Sequence, residues 1–187
     1  MEAKIVYFDK PGTENTEEVL KIAKKRAAEL GIKTIVVATT IGNTAVRAAA
    51  VFKGMKVVAV THSNGFKGAN TQEFTEENRK KFTAKGGIVL TATHLFSGVN
   101  GAMRKKFNMH ETGAIMADTL RLMGQGMKVV VEISVMAADA GLVNVDEDVI
   151  VIAGSGRGAD YAVVLTPVYS NDLFDLKIKE ILCKPRF

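Results

Sequence analysis

Four short segments gather hydroxyls, histidines, amides and glycines at points where apolar runs stop, and such groups bind anions and move protons. In TTIGNTA, Thr39, Thr40 and Thr44 supply hydroxyls, Asn43 an amide, and Gly42 a backbone free to turn tightly. With Thr44 as cap, the helix that follows would point its first N–H groups back at the loop and favour a bound anion. A plain strand–helix turn with a threonine cap is the alternative. In GSGRGAD, successive N–H groups around Gly154, Ser155 and Gly156 could form a nest for anionic oxygens, with Arg157 adding a bidentate contact and Asp160 an acceptor. A glycine hairpin is the alternative there.

The other two segments, THSNGFKGAN at 61–70 and TATHLFSGVN at 91–100, each offer a threonine, a nearby histidine, then glycine and asparagine. They add Thr61, His62, Asn64, Gly65, Thr93 and His94 to the candidates. His62 and His94 are the candidate catalytic groups, as general bases, and a hydrogen-bonded structural role is the alternative for each. Several chemistries lack their spacing. There is no GxxxxGK loop, no GxSxG elbow, and no HxH or HExxH pair with partner cysteines, so neither triphosphate hydrolysis, a serine hydrolase nor a metal site is expected. The glycines at 154, 156 and 158 are not followed by a helical pattern, which sets them apart from a dinucleotide fingerprint.

The elements that would position these segments can be read from periodicity and caps. KIVYFD at 4–9 reads as a strand; Asn15 with Glu18 reads as a capping box for a helix to Leu30, with Gly31 past its end. A strand at 34–38, a helix at 44–53 and the strand KVVAV at 56–60 make a βαβ unit. Thr75 caps a helix to Lys85, and IVLTA at 88–92 is a further strand. Asn108 with Glu111 reads as a second capping box, and the pattern from there to Gly141 is helical, although KVVVEIS at 128–134 is β-branched enough to compete as a strand. DVIVIA, YAVVLT and LKIKEILC close the chain. Apolar runs alternating with helices predict an α/β fold, a three-layer α/β/α sandwich with a mostly parallel sheet. YAVVLT follows DVIVIA too closely for a crossover, so an antiparallel edge is expected. All four polar segments then follow strands at one edge of the sheet and would face one crevice, where ligands of such folds bind.

Composition bounds the setting. The 187 residues suffice for one domain, expected over 1–187, and 47% hydrophobic against 24% charged residues is a globular balance. No apolar run nears the roughly 20 residues of a membrane span, and the first residues lack a secretory pattern, so no membrane partner is expected. The single Cys183, read as an inert strand residue, fits a cytoplasmic location. The net charge of +5 is dispersed among acidic neighbours except at Arg104, Lys105 and Lys106, read as a glycine-bearing loop, and no nucleic-acid partner is expected. Met116, Met123 and Met127 read as core, and an exposed share of 113–127 would make a homo-oligomer face.

TTIGNTAVRAAAVFKGMKVVAVTHSNG resembles the phosphate-binding segment of the pyruvate kinase C-terminal domain, and AADAGLVNVDEDVIVIAGSGRGADYAVVL is similar to that domain's closing segment. The resemblance covers about residues 32–165, without the barrel that carries pyruvate kinase catalysis, so kinase activity is not implied. With YFDKPGTENT at 7–16, the whole chain resembles stand-alone archaeal proteins of this fold that are associated with bound FMN and have no established reaction. The resemblance implies that Thr39, Gly42, Asn43 and Thr44 surround a phosphate. Ile41 and Asn43 depart from the family's loop and remove one phosphate contact, which suits the single phosphate of FMN better than a sugar bisphosphate. We expect the isoalloxazine near Thr61–Phe66 and Thr93–His94, with Asn15, Gly154 and Ser155 at its polar edge. Three functions remain open: an FMN-binding protein whose reaction could be flavin-dependent oxidoreduction, a non-catalytic sensor of a phosphorylated metabolite, and a histidine-assisted hydrolase or transferase.

Overall fold

A computed structural model describes residues 3–187. Its elements run β1 (Val6–Phe8), α1 (Thr16–Leu30), β2 (Thr34–Ala38), α2 (Asn43–Val51), β3 (Lys56–Val60), α3 (Glu76–Thr83), β4 (Ile88–Leu90), α4 (Gly98–Phe107), α5 (Thr112–Arg121), α6 (Gln125–Asp139), β5 (Val149–Ala153), β6 (Tyr161–Thr166) and β7 (Lys177–Pro185). The strands form one sheet in the order β1-β7-β6-β5-β2-β3-β4. Strands β5, β2, β3 and β4 are mutually parallel, in register from Ile35 opposite both Ile150 and Val57 to Val60 opposite Leu90. Their carboxyl ends therefore share one edge.

Side chains alternate across the sheet. Ile35, Val37, Ala59, Ile150 and Ile152 face one way and pack with Leu20 and Ala23 of α1, Ala45 and Ala48 of α2 and Phe82 of α3. Val36, Val58, Val151 and Val163 face the other way and meet Met127, Val130 and Ala137 of α6. This is the three-layer α/β/α sandwich. Burial on both faces explains why these strands read as unbroken apolar runs.

Four local expectations differ. The antiparallel strand β6 pairs with β5 as expected, but it lies third from the margin. A connection through Ser170–Asp175 returns the chain as β7, and β1 docks outside that, parallel to it. Asn15 does not cap α1, because a 3-10 turn over Thr13–Asn15 runs directly into the helix and the Asn15 amide donates to Lys10 O at 2.8 Å. Asn108, at φ 54, ends α4 in the left-handed conformation instead of starting α5, and Arg104, Lys105 and Lys106 form the last turn of α4 instead of a loop. Basic residues at a helix carboxyl end complement its dipole, which accounts for that placement. Thr75 caps α3 by accepting from Asn78 N–H at 3.3 Å, Gly31 ends α1 in the left-handed region, and 125–139 is helical throughout. Tertiary burial of α6 overrides its β-branched composition.

Candidate functional site

The loop between β2 and α2 is held by packing from below. Gly42 has φ 105 and opens α2, so the helix starts two residues earlier than a Thr44 cap would place it. A Cβ on Gly42 would lie 2.1 Å from the Phe74 ring, which makes glycine obligatory on two grounds. Asn78 Nδ2 donates to Ile41 O at 2.9 Å and to Asn43 Oδ1 at 3.0 Å, tying the loop to α3. Thr44 is consequently the second helical residue, buried, with Asn43, Thr44 and Ala45 presenting the first N–H groups of α2.

Beside it, the β5–β6 loop is organised by Asp160, which is fully buried. Its carboxylate accepts from Gly12 N–H at 3.1 Å, from Ser155 N–H at 3.2 Å and from the Ser155 hydroxyl at 3.2 Å. Burial raises its pKa, and these three donors pull the other way. Ala159 N–H donates to Thr16 Oγ1 at 3.0 Å, and a Cβ on Gly158, at φ 77, would sit 2.6 Å from Thr13 Cα. The loop is thus pressed against the start of α1, an anchoring that no residue spacing announced.

After β3 and β4 the site is made of side chains. His62 Nδ1 lies 2.6 Å from Glu73 Oε2, and Gln72 Nε2 donates to His62 O at 2.9 Å. The His62 ring lies 4.1 Å from Phe66 and 5.6 Å from His94, with Phe66 and His94 5.4 Å apart. These three rings make one wall. Thr61 Oγ1 is 2.7 Å from Thr91 Oγ1, closing the strand ends beneath them. Burial lowers the pKa of His94, as do the charges of His62 and Lys128, against the opposing effect of Glu132.

Helix α6 adds a part absent from the candidates. Lys128 and Glu132, one turn apart and both buried, are bonded Nζ to Oε2, and Glu132 Oε1 accepts from Phe96 N–H at 3.1 Å. Burial lowers the Lys128 pKa. A lysine and a glutamate four apart on an otherwise apolar helix is a signal that the sequence does contain.

Together these parts line a cleft of about 820 Å³ across the carboxyl ends of β5, β2, β3 and β4. Thr39, Thr40, Asn43 and Thr44 line it, as do Thr61, His62, His94, Gly154, Ser155 and Gly156. Arg47, Arg104, Arg121 and Lys128 join them, all missed as site residues because their positions depend on helix packing. Asn15, Gly42, Asn64, Gly65 and Thr93 lie outside the lining. Gly42 acts through the loop conformation, Asn64 accepts from Gln72 at 3.3 Å, Gly65 takes φ 77 in the turn, and the Thr93 methyl packs where a Cβ on Gly98 would fall. Cys183 is buried in β7, its thiol pushed up to about 12 by burial. Met127 is buried while Met123 is 44% exposed. Among the described residues, no helix is long and apolar enough to cross a membrane.

Two crystal structures of pyruvate kinase from Cryptosporidium parvum resemble this chain at 13% and 15% identity, covering 82% and 77% of it, with TM-scores of 0.42 and 0.37. The chain spans 23% and 21% of those enzymes' length. The sequence pattern of the family described as pyruvate kinase, alpha/beta domain, matches residues 17–165, a stretch running from the first turn of α1 to Leu165 in β6 and containing all four strand-end loops. Since that match takes in more than half of the chain and every strand that floors the cleft, the chain belongs to the pyruvate kinase alpha/beta domain family.

Proposed function

We propose that this chain binds FMN, with the phosphate at loop 39–44 and the α2 N-terminus and the isoalloxazine against His62, Phe66 and His94. The observation that carries this reading is the cleft itself. Its volume of about 820 Å³ lies within the range of roughly 300–1,000 Å³ for sites that enclose drug-sized ligands. One end presents backbone N–H groups, the hydroxyls of Thr39, Thr40 and Thr44, and the cations Arg47 and Arg157; the other presents aromatic faces. That donor set suits a monophosphate joined to a flat ring. FMN would supply hydride or single-electron transfer when bound. The chain's own residues would orient it and handle protons. The Glu73 carboxylate at Nδ1 favours the His62 tautomer protonated there, leaving Nε2 able to accept a proton within the cleft.

An absorption spectrum of the purified protein, then heat release and mass analysis of any chromophore, tests the reading. A flavin spectrum is expected, with Thr44→Ala weakening FMN by about tenfold through loss of a hydrogen bond to a charged group. A colourless protein that takes up no added FMN overturns it. The His62–Glu73 pair also favours a second reading, in which His62 is the general base of a hydrolase or transferase on a phosphorylated substrate. Turnover without change in the flavin spectrum would select it. We further propose a cytoplasmic protein, supported by its lone buried thiol, and a homo-oligomer formed through Val99, Ile115 and Leu122, which are 59–85% exposed on or beside α4 and α5. Light scattering that gives the monomer mass at micromolar concentration would reject the oligomer.

A further inference from the structure

We infer that the β4 end of the cleft is a second anion subsite, built by Arg104, Arg121 and Lys128, which receives the carboxylate or phosphate of a small anionic substrate beside the flavin. The inference rests on the FMN reading for what fills the remainder of the cleft. Its own basis is the distribution of charge. Five cations line the cleft. Three have carboxylate partners: Arg47 on Glu17, Arg121 on Asp118, and Lys128 on Glu132. Among the described residues the other two, Arg104 and Arg157, form no ion pair, and both are exposed. They belong to opposite ends. Arg157 follows β5 and Arg104 follows β4, and with strand order β5-β2-β3-β4 those strands lie three spacings apart, about 14 Å.

A single phosphate held near Thr44 and Arg157 leaves Arg104, at the other end, without a counter-charge. There Arg104, Arg121 and Lys128 also line a smaller adjoining pocket of about 50 Å³, together with Ser97 and Asn100. Arg121 sits close enough to disfavour the charged form of Lys128, so like charges are gathered with only Asp118 and Glu132 to offset them. Asp118 and Glu132 answer two of the three cations, and the remaining positive charge, that of Arg104 at the mouth of the recess, is left for a bound anion to meet. Glu132 holds Lys128 in place, and its second oxygen is taken by Phe96 N–H, which locks the pair to the chain after β4. An anion seated here would lie beside His94, on the ring side of the cleft.

Inorganic phosphate, titrated calorimetrically into FMN-free protein, FMN-loaded protein, Arg104→Ala and Arg157→Ala, tests the subsite. Two phosphate sites are expected without FMN and one with it. Arg104→Ala should weaken the site that survives FMN by about tenfold, the loss of a charge-assisted contact, and Arg157→Ala only the other. Malonate in place of phosphate distinguishes the sources: tighter binding of malonate at the surviving site names a carboxylate substrate, tighter binding of phosphate a phosphoryl one. A single site that FMN displaces, or a surviving site indifferent to Arg104→Ala, overturns the proposal. Failure to bind FMN with two phosphate sites still present, one of them sensitive to Arg104→Ala, would sink the FMN reading and leave the subsite standing.

Discussion

The two halves of the cleft are built from different material. Over β2 and β5 the walls are main chain: Gly42 and Gly158 hold positive φ, and Asp160 takes two backbone N–H groups into a buried carboxylate. Over β3 and β4 the walls are side chains, each held by another side chain: His62 by Glu73, Lys128 by Glu132, Phe66 by the two histidine rings. A main-chain cradle suits a group common to many ligands, because N–H donors recognise charge and shape. A side-chain wall can be changed one residue at a time and suits the part that distinguishes one ligand from another. The difference implies that substitutions in the first half act through the fold, and those in the second act on what is bound.

The largest expected effect is that of Glu132→Ala. It strands the buried Lys128 charge and the Phe96 N–H, and should cost about 3–5 kcal/mol in urea unfolding. Lys128→Met combined with Glu132→Gln, which keeps an acceptor for Phe96, should recover most of that. If the double variant is as unstable as the single one, the pair is not the cause. Gly158→Ala follows, at about 3 kcal/mol for a left-handed residue pressed into Thr13 and Thr16. For a chain of this size it should lower Tm by about 6–12 °C. An unchanged Tm would mean that the main-chain half is softer than described. Glu73→Gln should cost only about 1 kcal/mol, since the His62–Glu73 contact is partly exposed, yet it should alter the tautomer signal of His62 in nitrogen NMR.

The smallest effect concerns pH. Burial holds the folded pKa of His94 below its ordinary value of 6.5, so the unfolded chain binds a proton that the folded chain refuses. Stability therefore rises with pH through the window up to 6.5 and is lost on acidification below it. His94→Gln should flatten that slope in unfolding measured from pH 5 to 7, whatever its effect on absolute stability. A slope unchanged in the variant would assign the proton to another group.

Much of the backbone half was legible from residues alone, because what it needs is local. Glycines at 42, 154, 156 and 158 mark turns whatever surrounds them, and apolar runs ending in Thr39 and Thr61 mark strand ends. The same locality explains the failures at Asn15 and Asn108. A side chain that can cap a helix can equally bond its neighbours or take the left-handed conformation, and the incoming 3-10 turn and the end of α4 decided which.

By itself the sequence determined the alternation of elements, the placing of four polar loops on one edge of a mostly parallel sheet, and the family. Periodicity and short turns carry those, and both are properties of contiguous residues. Only the tertiary structure decided that Glu73 reaches His62 across 11 residues, that Glu132 reaches Phe96 across 36, and that β6 is enclosed by β7 and β1. It also decided that Arg104 and Arg121, on separate helices, line one recess with Lys128. Such meetings depend on how helices pack over the sheet, and that packing is fixed by the summed burial of two faces, which no single segment encodes.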